Sequence, residues 1–289
     1  MIRQIMDLAK ECARNPKRLL YHYRIAPHSF FWWYEGRRAG FDLGQPVDKP
    51  LSLHVILRTT DGVMNMNAKR NLEDLGIRTK RDVIAKGGCS LFGAAKRFVE
   101  MFGRDRLRLT LVLDNMSDVG LALYRECAAG VGLDFDIVQS KRHGNGPSFQ
   151  TQIDVALKDD DSTIELIFED DYMMSEDALV YPFKIFCEHS RVAGFNPHFH
   201  PDRIRRQDIG KLAVLEKRLL GRVSSTCCTF FVRHDVLKKY ESRLRLYDGC
   251  EIGTVNALWR REICLEPLGW TLAEHLHRSD LSPTQTLIS

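Results

Sequence analysis

Residues 164–172 read Ile-Glu-Leu-Ile-Phe-Glu-Asp-Asp-Tyr, a largely apolar run that stops at three adjacent carboxylates, Glu169, Asp170 and Asp171. Interrupted only by Glu165, the run has the pattern of a short strand buried in a sheet. Like charges at the mouth of such a strand repel one another and are partly desolvated. The arrangement is costly unless a cation neutralises it, and a divalent metal is the first candidate.

Working outward, three more apolar runs repeat the theme at Leu53–Leu57, Leu109–Leu113 and Phe135–Val138. Between them lie stretches at about 90–102, 118–130 and 147–158 with apolar residues at three- and four-residue spacing, the periodicity of helices packed on a sheet. Further short strands are expected at Arg191–Gly194 and Phe230–Val232. Strands alternating with helices predict an α/β chain, a Rossmann-type, mostly parallel sheet flanked by helices. In such sheets ligands bind beyond the carboxyl ends of the strands. The residues there are polar: Arg58-Thr59-Thr60-Asp61, Asp114-Asn115-Met116-Ser117-Asp118, Gly144-Asn145-Gly146 and the acidic triplet. A lone Asp after a strand is more often a helix cap, and Ser117 or Asp118 suits that role. Convergence of all four segments on one crevice is what makes a site.

The chain has 289 residues, 44% hydrophobic content and a formal net charge of +4. That is enough for one large core, and the mild positive bias suits an anionic ligand without the clustered charge a nucleic acid demands. Its eight cysteines show no C-x-x-C pair, so reduced thiols and a cytoplasmic setting are expected. Residues 1–50 form a separate arm. Ile2, Ile5, Met6 and Ala9 share a helical face, followed by the aromatic run Phe30-Phe31-Trp32-Trp33-Tyr34 with Arg37 and Arg38. Such an arm either packs over the main domain at 51–289 or, through residues 1–45, meets an anionic membrane peripherally. No apolar segment has the length of a membrane span.

Several nucleotide folds are excluded. The first strand is followed by Arg58-Thr59-Thr60-Asp61-Gly62-Val63 rather than G-x-G-x-x-G, and neither a P-loop nor a G-x-S-x-G elbow occurs. A nucleotide-sugar site fits instead, because a divalent ion held by strand-end carboxylates stabilises a diphosphate leaving group. On the ordered set Val55–Thr59, Leu113–Asp118, Gly144–Phe149, Phe168–Tyr172, Ser224–Phe230 and Ala273–Leu276, over roughly residues 51–285, the sequence resembles the GT-A glycosyltransferases, especially family-two-like bacterial enzymes.

That resemblance implies a GT-A-like fold and a donor pocket lined by Arg58, Thr59 and Asp114, with Gly144, Asn145 and Ser225 beside them. Asp170 sits near the ribose or the metal, Asp171 ligates Mn2+ or Mg2+, and His275 completes the set, with His277 as the substitute. An imidazole ligand tilts the preference toward Mn2+. An inverting transfer also needs a base, and Asp248 or Glu251 is the candidate; the same spacing fits a capping box. Cys227 and Cys228 depart from the family's hydroxyl-rich pattern. His198, His200 and Asp202 form a polar patch suited to acceptor recognition. The expected function is metal-dependent transfer of a sugar from a nucleotide diphosphate sugar to a glycan or lipid-linked acceptor, as in polysaccharide biosynthesis. A sugar nucleotidyltransferase, though its Gly-rich loop is missing, and a non-catalytic glycan-binding or membrane-associated scaffold stay open.

Overall fold

The computed structural model describes residues 42–61, 77, 79–199, 209–251 and 253–276. Most of the N-terminal arm, together with His200, Asp202 and His277, lies outside them. The site-bearing half alternates β1 (Ser52–Thr59), α1 (Lys80–Phe102), β2 (Leu107–Leu113), α2 (Asp118–Ala129), β3 (Asp136–Gln139), α3 (Asn145–Ala156) and β4 (Thr163–Glu169). After it come β5 (Tyr172–Met174), α4 (Val180–Glu188), β6 (Val192–Phe195), β7 (Ile209–Leu215), β8 (Arg218–Val223) and β9 (Phe230–Arg233). The short helices α5 (His234–Lys239), α6 (Glu241–Leu244) and α7 (Val255–Trp259) then lead to β10 (Ile263–Pro267) and β11 (Ala273–His275).

The large sheet runs β3-β2-β1-β4-β9-β6-β10-β8-β7. Its first half is parallel throughout, with Arg58 of β1 in register with Glu169 of β4. Beyond β4, antiparallel partners enter: β9 pairs antiparallel with both β4 and β6, and β8 with β10 and β7. The apolar runs are continuous because both faces are covered. Leu53, Val55 and Leu57 join one core layer with Phe92 and Phe98 of α1, while Ile56 faces the other with Phe149 and Ile153 of α3. Period-two alternation splits β4 the same way, Ile164, Leu166 and Phe168 to the first layer and Ile167 to the second.

Helix α1 starts about ten residues earlier than the apolar spacing suggests. Thr79 accepts from the Asp82 amide at 3.2 Å while the Asp82 carboxylate takes the Thr79 amide at 2.7 Å, a reciprocal cap that fixes the first turn. Ser117 caps α2 through the Gly120 amide at 3.2 Å, as its sequence position suggests. The cysteine expectation is corrected: Cys89 of α1 and Cys127 of α2 form a disulfide with Cα atoms 4.9 Å apart. The two lie 38 residues apart on facing helices, a pairing no local spacing reveals, and the cytoplasmic assignment loses the support it drew from reduced thiols. No helix among the described residues is long and apolar enough to cross a membrane.

Candidate active site

Each carboxylate of the triplet meets a different partner. Glu169 continues β4, and its side chain pairs with Nη2 of Arg58, the residue beside it on β1. Arg58 is 5% exposed and also donates from Nη1 to the Asn145 carbonyl at 2.7 Å, tying the strand ends to the start of α3. Burial works against the guanidinium's charge, but Glu169, with Cys228 and Tyr247 adding to it, outweighs burial and raises the pKa. For Glu169, burial raises the carboxyl pKa, with Asp171 adding repulsion and Arg58 opposing both.

Asp170 turns back into the protein. Its Oδ2 accepts from the Thr59 hydroxyl at 2.7 Å and the Thr60 amide at 3.0 Å, and its Oδ1 from Lys80 Nζ at 2.6 Å. Because Thr59 donates to Asp170, the Tyr124 hydroxyl donates to Thr59 at 2.9 Å. Burial pushes the Tyr124 phenol up, and nearby Asp170 pushes it further.

Asp171 faces the other way. Its Oδ2 lies 3.0 Å from His275 Nε2, and its carbonyl accepts the Leu276 amide at 2.7 Å. The small β5–β11 ladder, with His275 opposite Tyr172, delivers the imidazole across 104 residues of chain. The Tyr172 ring touches both His275 and His198, with centroids 4.7 and 5.7 Å away. His198 Nδ1 lies 2.9 Å from the Ala273 carbonyl; a carbonyl only accepts, so that nitrogen carries the proton.

Of the remaining sequence-predicted residues, Asp114, Gly144 and Asn145 follow neighbouring strands, while Ser225, Asp248 and Glu251 lie on loops further along the chain. Asp114 accepts the Gly144 amide at 2.9 Å on Oδ2 and faces His143 Nδ1 at 3.0 Å on Oδ1. Gly144 has φ +111, and Asn145 opens α3 and donates to the Tyr247 hydroxyl at 3.3 Å. Asp248 is exposed, yet its segment is held against α3: a Cβ on Gly146 would stand 3.3 Å from the Asp248 Cα. Helix α7 begins only at Val255, so the capping-box reading of Asp248 and Glu251 fails. Glu251 instead accepts from Cys228 Sγ at 3.7 Å. Ser225 is half-buried in the β8–β9 loop, whose Cys227 Sγ meets the Tyr172 hydroxyl at 3.0 Å.

Among the described residues, no group of three or more His, Cys, Asp or Glu side chains is arranged to hold a metal ion. Asp171 and His275 nevertheless fit two positions of one. Bonds of about 2.1 Å at right angles put two ligand atoms about 3.0 Å apart, and this pair has that separation, which is also the length of the hydrogen bond it makes here. A hard ion with two protein ligands takes the rest from water and substrate phosphates.

Sequence reasoning missed Lys80, Tyr124, Tyr247 and the pairing of Arg58 with Glu169. The Thr79-Lys80-Arg81-Asp82 cap was the available signal for Lys80, and the equal position of Arg58 and Glu169 just after the apolar runs Leu53–Leu57 and Ile164–Phe168 was the signal for their pairing.

No protein-family model and no curated protein matches this chain. Some solved structures resemble it in overall shape. A mannosyltransferase from Pyrobaculum calidifontis, in complex with GDP-Man and Mn2+, is 13% identical over 87% of this chain and 65% of its own, with a TM-score of 0.49. TarS of S. aureus is 14% identical over 77% of this chain and 36% of its own, with a TM-score of 0.49. A mycobacterial protein is 11% identical over 79% of this chain and 68% of its own, with a TM-score of 0.47. This chain therefore spans less than two thirds of the mannosyltransferase and little more than one third of TarS.

Proposed function

We propose that the chain is a metal-dependent glycosyltransferase that moves a sugar from a nucleotide diphosphate donor to a glycan or lipid-linked acceptor. The observation that carries this reading is the Asp171–His275 pair at 3.0 Å just beyond the end of β4, with Asp114, Gly144 and Asn145 following the parallel strands β2 and β3 of the same sheet. Asp171 and His275 hold the ion, with Mn2+ favoured by the imidazole. When bound, the ion neutralises charge on the diphosphate leaving group.

The chain's own residues do the rest. Asp114 and the amide of Gly144 shape the base side of the donor pocket, and Thr59 anchors its floor through Asp170. Arg58 fixes the start of α3 through the Asn145 carbonyl, which sets where Gly144 and Asn145 meet the donor. Asp248 stands exposed at the rim against Gly146, where an acceptor hydroxyl has access, and takes that hydroxyl's proton as it attacks, giving inversion. Glu251, engaged by Cys228, is the lesser candidate for the same role.

A thermal-shift panel of UDP-, GDP-, CMP- and dTDP-sugars, each with and without Mn2+, tests the reading, since a ligand that binds only the native state raises the melting temperature. Stabilisation by one donor only when Mn2+ is present supports it and names the base. Stabilisation by none transfers the weight to a non-catalytic glycan-binding protein.

A further inference from the structure

We propose that Lys80 is a positioning residue: it is the resident counter-ion of Asp170, keeps that carboxylate out of the metal's coordination, and leaves Asp171 and His275 as the chain's ligands. The inference rests on the metal reading above and adds to it why Asp171 rather than Asp170 serves the ion.

Three features of the fold place Lys80 there. Its ammonium lies 2.6 Å from Asp170 Oδ1 with the two side chains 12% and 9% exposed, while Asp170 Oδ2 takes the Thr59 hydroxyl and the Thr60 amide. Both oxygens are thus engaged by donors from inside the protein, and an ion reaching Asp170 must displace a partly buried ammonium. The lysine is also delivered by a fixed element, since the Thr79–Asp82 reciprocal cap makes it the first residue of a 23-residue helix. That helix is seated on the acidic turn itself. A Cβ on Gly87 would stand 3.2 Å from the Asp170 carbonyl oxygen and 3.0 Å from that of Tyr172, so any other residue would push the acidic turn back by a few tenths of an ångström. The Cys89–Cys127 bridge then ties α1 to α2. Helix α1 is a brace: Lys80 turns Asp170 inward, and Asp171, next in the chain, faces His275.

The test is a titration of the full chain with Mn2+ alone, following free Mn2+ by its electron paramagnetic resonance signal. Asp171→Asn is expected to weaken Mn2+ binding at least about tenfold, whereas Asp170→Asn changes it less than about threefold. Lys80→Met removes a cation and frees a carboxylate, so binding tightens by about three- to tenfold, and the gain disappears in the Lys80→Met/Asp170→Asn double variant. Lys80→Arg keeps the charge and leaves the affinity unchanged. An Asp170→Asn variant as weak as Asp171→Asn overturns the proposal, because Asp170 is then a ligand. If wild type takes up no Mn2+, the metal reading fails, and the proposal falls with it as regards the ion. The Lys80–Asp170 pairing is then judged separately by melting temperature: two single variants and a double variant with equal losses support it, and additive losses overturn it.

Discussion

Gly194, on β6, faces the indole of Trp259 so closely that a single methyl tests how tightly the second core layer is built. A Cβ there would lie 2.5 Å from Cη2 of Trp259 and 3.2 Å from the Phe231 carbonyl oxygen. Carbon atoms pack at about 3.5–4.0 Å, so the ring must withdraw by about 1 Å. It is poorly placed to do so, being fully buried, set edge-on to Phe230 at 5.4 Å and hydrogen-bonded from Nε1 to the Thr226 hydroxyl at 2.7 Å. Overpacking costs about 1–3 kcal/mol, and stranding the indole N–H without Thr226 adds about 1–3 kcal/mol. Gly194→Ala is therefore expected to lose about 3–4 kcal/mol, a large share of the roughly 5–15 kcal/mol that holds a domain folded. Urea denaturation followed by tryptophan emission measures it, with the midpoint falling and the slope unchanged. Trp259→Phe in the Gly194→Ala background should recover about 1 kcal/mol relative to the sum of the single losses, because the smaller ring relieves the clash. A Gly194→Ala variant within 0.5 kcal/mol of wild type would refute the reasoning, since the indole would then have room the packing denies it.

Other outcomes follow from the same geometry. Asp248→Asn should lower turnover by about a hundredfold or more with donor affinity unchanged; since the residue caps no helix, its urea midpoint should stay at the wild-type value, and a purely stability-related loss would remove it as the base. His54 is buried between Asp159 and Arg108, at 2.6 and 2.8 Å from Nδ1, and burial with Arg108 lowers its pKa to about 3. A depressed pKa contributes stability that is present above the unfolded value near 6.5 and is lost as pH falls toward 3; Asp136 pulls the other way, so about 2 kcal/mol should disappear between pH 7.5 and 4.5, and His54→Gln should flatten that slope. Cys89→Ser opens a bridge across 38 residues, for which chain entropy suggests a loss of about 3–4 kcal/mol, checked by comparing urea midpoints of oxidised wild type and variant.

Much of the parallel half was legible because burial on two faces leaves a strong mark: Leu53–Leu57, Leu109–Leu113 and Ile164–Phe168 all lie inside observed strands. The order beyond β4 was not legible, since a four-residue strand such as β6 carries no information that it lies between β9 and β10. Nor were β5 and β11, three residues each, which exist only because they pair with each other. In the site, strand ends could be named from sequence, but the direction of each side chain could not. The triplet appeared to require a metal because its charges were added without their neighbours; Arg58 and Lys80 lie on other elements, and only the fold brings them to Glu169 and Asp170. The Asp248–Glu251 spacing looked like a cap because Gly249 and Gly253, at φ +117 and +84, postpone the helix to Val255.

The matching of Glu169 with Arg58 and of Asp170 with Lys80 has a kinetic consequence. A bare acidic triplet would repel an incoming anion over the length at which salt screens charge, roughly 8–10 Å at physiological ionic strength. Here Arg58 and Lys80 cancel two of the three charges within a few ångströms, so an incoming anion meets a much weaker long-range barrier. Its arrival rate should depend only weakly on salt, and the electrostatic work is deferred to the last step of contact, where short-range partners can be exchanged one at a time.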